Sequence, residues 1–314
     1  MTDIVYIDRL TGQRRIELIY GAKALELFYG DHFFSRLMKI GPLTLLAKYP
    51  FFSAFYGYLQ KRAASKKKIL PFIKKFDVDS SEFLEDTRSF SSFNDFFIRH
   101  LKPEARPIAS GDDIAVMPAD ARYYFYQHIE KNTGFIVKGE RLNLKELLQD
   151  SALAEEFTGG SLLIARLCPS DYHRFHFPCD CIPQETRFIN GWLYSVNPLA
   201  IKKNVSIFVK NKRTVCELQT KQFGKVLYLE IGATNVGSIH QTYTPFVKQT
   251  KGTEKGYFEF GASSLILLFK KDAIQFDADL IEATKEGIEM RCLMGQRMGI
   301  CKNPLSAETK LSST

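Results

Sequence analysis

Between Leu265 and Phe269 the chain is apolar without interruption, and Lys270 and Lys271 close the run. A short apolar block bounded by polar residues predicts a strand buried on both faces. Its entrance is odd. Gly261-Ala262-Ser263-Ser264 puts small and polar residues, poor strand formers, at the head of a core strand. Similar short runs recur after Pro107: "RYYFYQHI", "GSLLIARL", "TRFINGWLYSV", "VSIFVK", "TVCELQ" and "KVLYLEI". Turn residues separate them. One helical run lies among them, "NLKELLQDSALAEEF", with Asn143 as its cap. Many short strands at this spacing predict an antiparallel sandwich or open barrel.

Before Pro103 the period lengthens. Ile16, Ile19, Ala22 and Leu25 fall at helical spacing within Arg14–Gly30. Ser80 or Ser81 marks a helix start. Ser92, with Asp95 three residues on, marks another in a variant of the capping box. The pattern therefore predicts an α+β protein. Residues 1–105 form a helical region packed on a mainly antiparallel β-sandwich or open-barrel core, residues 106–314.

Composition changes this picture only in part. The 314 residues are 45% hydrophobic and 25% charged, as in ordinary globular proteins. The formal net charge of +8 favours anionic partners. The excess is local: Lys61, Arg62, Lys66, Lys67, Lys68, Lys74 and Lys75 come with no acidic residue between them. That run reads either as a solvated helix face or as a surface for anionic lipid. The uncharged stretch Tyr49–Gln60 before it carries Phe51, Phe52 and Phe55. It is too short to span a bilayer, and fits an interfacial helix or a core helix. No recognised module supports a nucleic-acid partner. Six scattered cysteines lack CxxC spacing, and Met1-Thr2-Asp3-Ile4 begins no secretory leader, so reduced thiols in a cytoplasmic compartment are expected.

Three stretches could carry chemistry. Asp120 follows Pro118-Ala119, where an aspartate is usually a turn former. His173 and His176 lie between Pro169 and Pro178, on what reads as a loop. No pattern supplies further ligands, so no metal site is expected. Ser263 could act as a nucleophile with a histidine base and an aspartate to orient it. Yet "GASSL" is not a GxSxG elbow, and no helix follows it, which argues against a lipase-like hydrolase.

The set "PAD", "DYHRFHFP", "NGWLYSVNP", "NKR", "GATNVGSI" and "KGYFEFGASSLILLF" resembles the phosphatidylserine decarboxylases, as do "FNDFFIRHLKPEARPI" and "VKGERLNLKELL" upstream. The resemblance runs from about Ser92 to Gly299. It implies a precursor that cuts itself between Ala262 and Ser263 into a β chain, Met1–Ala262, and an α chain, Ser263–Thr314. Ser263 would become a pyruvoyl group, the cofactor, which forms a Schiff base with the substrate. His176 would serve as the base for Ser263, Asp120 would orient it, and His173 would donate the proton during decarboxylation. The family usually has Gly where Ala262 stands and Thr where Ser264 stands. Ser264 keeps the hydroxyl and is the rival nucleophile. The glycine-bearing stretch Gly232–Ser238 reads as a turn between strands. The resemblance further implies phosphatidylserine in the membrane as substrate, a homodimer, and a peripheral place on the cytoplasmic face of the cell membrane. The alternatives are a homologue that does not process itself and a pyruvoyl decarboxylase of a related amino-acid headgroup.

Overall fold

The computed structural model describes residues 4–18, 57–129, 135–137, 140–194, 196, 206–232, 239–261 and 263–302. Val5–Asp8 (β1) and Arg14–Ile16 (β2) form a hairpin. Ile114–Val116 (β3) and Ala121–Tyr126 (β4) flank the Pro118–Asp120 turn, and Phe135–Val137 (β5) pairs with Glu140–Leu142 (β6). Ser161–Leu167 (β7) is buried throughout; Arg174–His176 (β8), Ile182–Pro183 (β9) and Arg187–Ile189 (β10) are short. Arg213–Thr220 (β11) and Gly224–Gly232 (β12) make a long hairpin. Ile239–Gln241 (β13), Glu254–Phe258 (β14) and Ser263–Phe269 (β15) follow. Ile274–Phe276 (β16), Glu289–Cys292 (β17) and Arg297–Cys301 (β18) come last.

The main sheet is open, in the order β10-β11-β12-β15-β7-β4-β17-β1-β2, with β9 added to β11. Its pairs are antiparallel except β1 with β17. Strand alternation sends its apolar residues to two cores. Leu265, Leu267 and Phe269 join a core covered by the β13-β14-β8 sheet, through Phe175 and Phe258, and by the β16-β18-β3 sheet, through Phe276 and Met298. Ile266 and Leu268 join a second core, covered by the helices Leu144–Leu148, Ser151–Glu156 and Ile207–Lys210. The fold is α+β, as the sequence predicts, with the sandwich completed by small sheets on one face and helices on the other.

Three local expectations change. Arg14–Ile16, expected to start a helix, is a strand, and the hairpin it forms joins the main sheet through β17. The start of the chain thus belongs to the β-rich body; residues 19–56 lie outside those described. All three residues of β2 are exposed, so no apolar face announced the strand. Buried charge fixes it instead: Glu17 takes two hydrogen bonds from Arg166, at 3.0 and 2.6 Å. Next, Asp79 rather than Ser80 or Ser81 caps the turn Ser80–Glu82, accepting the Ser81 N–H at 2.8 Å. Finally, the helical run after Asn143 breaks in two. Gln149 takes a left-handed conformation and Asp150 caps the second piece through the Leu153 N–H. The caps expected at Ser92 and Asn143 are present, on the Asp95 and Lys145 N–H groups.

Burial pushes the Glu17 carboxyl up, but Arg166 and Arg122 outweigh it and bring it from 4.5 down to about 2. A carboxyl more acidic when folded stabilises the fold above its unfolded pKa and loses that contribution as pH falls through the folded one. Stability should therefore drop between about pH 5 and pH 2, by on the order of 3 kcal/mol from this group. Glu17→Gln should flatten that part of the urea-midpoint curve; an unchanged slope in the variant would mean that this pair does not hold the hairpin.

Candidate active site

Ser263 and Ser264 sit at the head of β15 and face opposite ways. Ser263 lies opposite Gly232 of β12 and Leu167 of β7; Ser264 lies opposite Ile231 and Arg166. Alternation puts Ser263 on the face of Leu265 and Leu267, under the β13-β14-β8 sheet, and Ser264 on the face of Ile266, under the helices. Both hydroxyl oxygens are buried with no hydrogen-bond partner among the described residues. Each costs about 1–3 kcal/mol to bury so. The five apolar side chains behind them, all fully buried, return about 1.5–3 kcal/mol each. The long apolar run is what lets the strand carry its two hydroxyls inside.

The segment before Ser263 is held from another side. Ser92 caps the helix Phe93–Phe97, and this helix offers Asn94 Oδ1 to the Phe260 N–H at 2.9 Å. The Phe260 ring packs on Phe93 and Phe97, at 5.2 and 4.9 Å between centroids. Gly261 then adopts φ +149°, a conformation that glycine alone takes easily. Ala262 lies outside the described residues, as do residues 233–238 of the glycine-bearing stretch.

The two histidines follow the end of β7 that lies beside Ser263. Past Leu167 a turn is closed by the Cys168 N–H on Asp171 Oδ2 and the Asp171 N–H on the Cys168 carbonyl, both 2.8 Å. Arg122 clamps the Asp171 carboxylate. His173 Nδ1 lies 3.0 Å from the Asp171 carbonyl. A carbonyl can only accept, so Nδ1 carries the proton and Nε2 presents a lone pair. That Nε2 is buried and unpartnered. The ring lies on Phe97 at 3.8 Å, and the His173 carbonyl accepts the Phe258 N–H at 3.0 Å. His176, on β8, donates its backbone N–H to Pro118 at 2.8 Å; its ring stacks on Tyr172, and its Nδ1 is buried without a partner. Burial holds both imidazoles well below the ordinary 6.5, His173 at about 3 and His176 at about 4. The Arg99 charge adds to the depression at His173, whereas the Asp120 charge opposes it at both rings.

Asp120 is buried at the start of β4. Arg106 holds its carboxylate at 2.9 and 2.7 Å, and the Met294 N–H donates to it at 2.8 Å. Burial pushes its pKa up, but Arg106 prevails and it stays lowered. Among the described residues no hydrogen bond joins Asp120 to either imidazole; it acts on them through its charge. Sequence reasoning missed Arg106, Asn94, Phe97 and Arg99, although all four fall inside the stretch "FNDFFIRHLKPEARPI" quoted for its resemblance. It also missed Arg122, for which the sequence carries no local signal.

The sequence profile of the family described as "Phosphatidylserine decarboxylase" matches residues 93–300, well over half of the chain. The chain belongs to the phosphatidylserine decarboxylase family. It is 52% identical over 299 residues to a protein of Chlamydia caviae named "Phosphatidylserine decarboxylase proenzyme", covering 95% of this chain and 98% of that one. Proteins of the same name from Chlamydia felis and Chlamydia pneumoniae are 50% and 47% identical, over 95% and 94% of this chain and 98% and 96% of theirs. The family match begins at the helix Phe93–Phe97 and takes in Asp120, both histidines and β15.

A histidine that is less basic when folded binds fewer protons than the unfolded chain does near pH 6. Its contribution is therefore complete above 6.5 and is lost as pH falls towards the folded value. In the uncut Ser263→Ala chain, nitrogen NMR should find His173 and His176 uncharged at pH 5. A midpoint above pH 6 for either ring would mean that water reaches it.

Proposed function

We propose that the chain is a phosphatidylserine decarboxylase that cuts itself before Ser263 and works through the pyruvoyl group this leaves. The observation that carries the reading is the Ser263 hydroxyl. It is buried, has no hydrogen-bond partner among the described residues, and lies on the face covered by the sheet that bears His176. Ser264, turned to the helical face, is the poorer nucleophile on the same grounds. The name "proenzyme" on the relatives supports a processed chain.

In this reading Ser263 Oγ attacks the Ala262 carbonyl while its proton passes to neutral His176. The amide nitrogen leaves that carbonyl, so the peptide bond becomes an ester with a free amine on residue 263. Loss of the Ser263 α-proton expels the Ala262 carboxylate and leaves dehydroalanine, which water converts to pyruvoyl and ammonia. Asp120 stabilises positive charge on His176 across space, without a hydrogen bond. The pyruvoyl carbonyl, once formed, condenses with the substrate amine and takes up the electrons that remain as carbon dioxide departs. His173 protonates the substrate carbon. Uncharged in the uncut chain, it gains a proton as an anionic substrate arrives and raises its pKa.

The lipid substrate calls for a surface that meets the membrane, and we place the chain peripherally on the cytoplasmic face. Among the described residues no helix is long and apolar enough to cross a bilayer. The helix Ile69–Phe76 buries Ile69 and Phe72, while Leu70, 67% exposed, stands between exposed Lys67 and Lys74. Each such cation near anionic lipid contributes about 1 kcal/mol. The aromatic residues Phe51, Phe52 and Phe55 lie outside the described residues.

Intact mass tests the processing. Ser263→Ala should remain a single 314-residue chain, whereas Ser264→Ala should still release Ser263–Thr314. Cleavage in the first variant would transfer the role to Ser264. His176→Ala should accumulate precursor. His173→Ala should cut normally yet release carbon dioxide about 10²–10⁴-fold more slowly, as for a lost general acid. Matching phenotypes would leave no ground for two roles.

Vesicle flotation tests the surface. Changing Lys67, Lys74 and Lys75 to glutamine should weaken binding to phosphatidylglycerol vesicles at low salt and matter little at high salt, where screening already removes the attraction. Full binding by the variant at low salt would remove this helix from the membrane contact.

A further inference from the structure

Most buried charges among the described residues are answered. Asp171 is answered by Arg122, Asp120 by Arg106, Glu17 and Glu289 by Arg166, and Glu230 by Lys255. Arg213, fully buried, has no carboxylate but donates to the carbonyls of Glu146, Leu147, Val209 and Asn211 at 2.7–2.8 Å. Arg99 has neither kind of answer. It is 4% exposed and makes no ion pair with any described carboxylate. Its Nε has no partner, and its remaining contacts are long: Phe96 O at 3.3 Å, Ser170 O at 3.4 Å and Asp171 O at 3.5 Å. The rings of Phe83 and Phe96 lie 4.9 and 4.8 Å from its guanidinium carbon. The two carboxylates whose charge reaches it, Asp120 and Asp171, are committed to Arg106 and Arg122. Burial lowers its pKa only to about 10, so it remains a cation at neutral pH.

Its position is specific. The Asp171 carbonyl that takes the His173 Nδ1–H also takes the long Arg99 contact. The cation and the imidazole are therefore neighbours, and both hold donors or lone pairs that nothing among the described residues uses.

We propose that Arg99 binds the phosphodiester of the lipid substrate. The inference rests on the decarboxylase reading above. Guanidinium and phosphate match as fork and paired oxygens. In a phosphoserine headgroup only Cβ and one oxygen separate phosphorus from the Cα that His173 protonates, so neighbouring protein groups suit neighbouring substrate atoms. The substrate carboxylate is the other anion on offer, and the reaction argues against it. That charge disappears as carbon dioxide forms, so a cation on it would stabilise the ground state and raise the barrier. The phosphodiester keeps its charge from substrate to product, and a cation there costs nothing in the chemical step. Engaging Arg99 with an anion also offsets the smaller part that its charge adds to the burial-driven depression of His173.

Dihexanoyl phosphatidylethanolamine carries the phosphodiester without a carboxylate, and free serine the reverse. Phosphorus NMR titration of the first into cleaved protein measures binding apart from turnover; steady-state assays on dihexanoyl phosphatidylserine give KM and kcat. Arg99→Met should raise both the Kd for the ethanolamine lipid and the KM by about 10–100-fold, as for loss of hydrogen bonds to a charged group. The value of kcat should stay within a few-fold, the mark of uniform binding. Arg99→Lys should recover part of the loss, and inhibition by free serine should not change between parent and variants. A cleaved Arg99→Met that binds the ethanolamine lipid as the parent does overturns the proposal, and weaker serine inhibition in it would reassign Arg99 to the carboxylate. Should Arg99→Met not cut, Arg99→Lys alone decides, and unchanged Kd and KM overturn the proposal. Failure of both variants to cut would make Arg99 a packing residue for Phe83 and Phe96, and overturn it as well. A parent that cuts but does not decarboxylate phosphatidylserine would sink the functional reading instead, while the Kd comparison would still report on Arg99.

Discussion

Strand β15 is hydrogen-bonded along both edges, and the rest of the site is built around that fact. Ser263–Phe269 pairs with Gly232–Val226 on one side and with Leu167–Ser161 on the other. Both partners precede residue 262 in the chain. A break before Ser263 would leave its downstream side threaded between two strands of its upstream side. The downstream part also supplies β16, β17 and β18, and β17 in turn pairs with β4 and β1. Nothing in a single peptide bond is needed to keep these parts together. A fold organised this way can lose that bond and retain its core.

The same burial sets the chemistry. A strand paired on both edges puts its first hydroxyl in a dry interior, and burial holds the imidazoles of His173 and His176 well below their ordinary pKa. Dry surroundings make any stray charge costly, and the fold answers with paired arginines and carboxylates around the region. They also strengthen the reach of each charge that remains, so Asp120 influences both histidines without touching either. Neutral imidazole is the right state to accept a proton from serine, and the wrong state to give one to a carbanion. In the proposed reading, the second task would need something to arrive that favours the charged ring.

The legible part of this structure is the part written in local periodicity. The apolar block of β15, the strand-rich region after Pro107 and the caps at Ser92 and Asn143 all follow from neighbours within a few residues. The motif order around Asp120, His173, His176 and Ser263 identified the family and put Ser263 ahead of Ser264 by its register, and the strand's alternation turns the two hydroxyls to opposite faces. The contacts that give these residues their properties were not legible. The partner of Asp120 is Arg106 across a turn, the tautomer of His173 depends on a backbone carbonyl, and β2 has no buried face to betray it. The pairs Glu17–Arg166 and Arg122–Asp171 join residues that only sheet pairing brings together. No spacing rule reaches that far.

The two sides of the Ala262–Ser263 bond are held very differently. Downstream, β15 is a seven-residue strand with ladders on both edges. Upstream, β14 ends at Phe258, Lys61 pairs with Glu259, the Phe260 N–H donates to Asn94 and its ring packs on Phe93 and Phe97, and Gly261 takes a conformation open mainly to glycine. The firmly held end is the one that would carry the reactive carbonyl. The upstream end, held by side chains rather than by ladders, lies against Phe97, whose ring also packs on that of His173. Freeing it would loosen the packing beside that imidazole while leaving residue 263 in register. If the bond is cut as proposed, holding the cofactor and admitting the substrate would fall to opposite sides of it, and neither task would have to weaken the other.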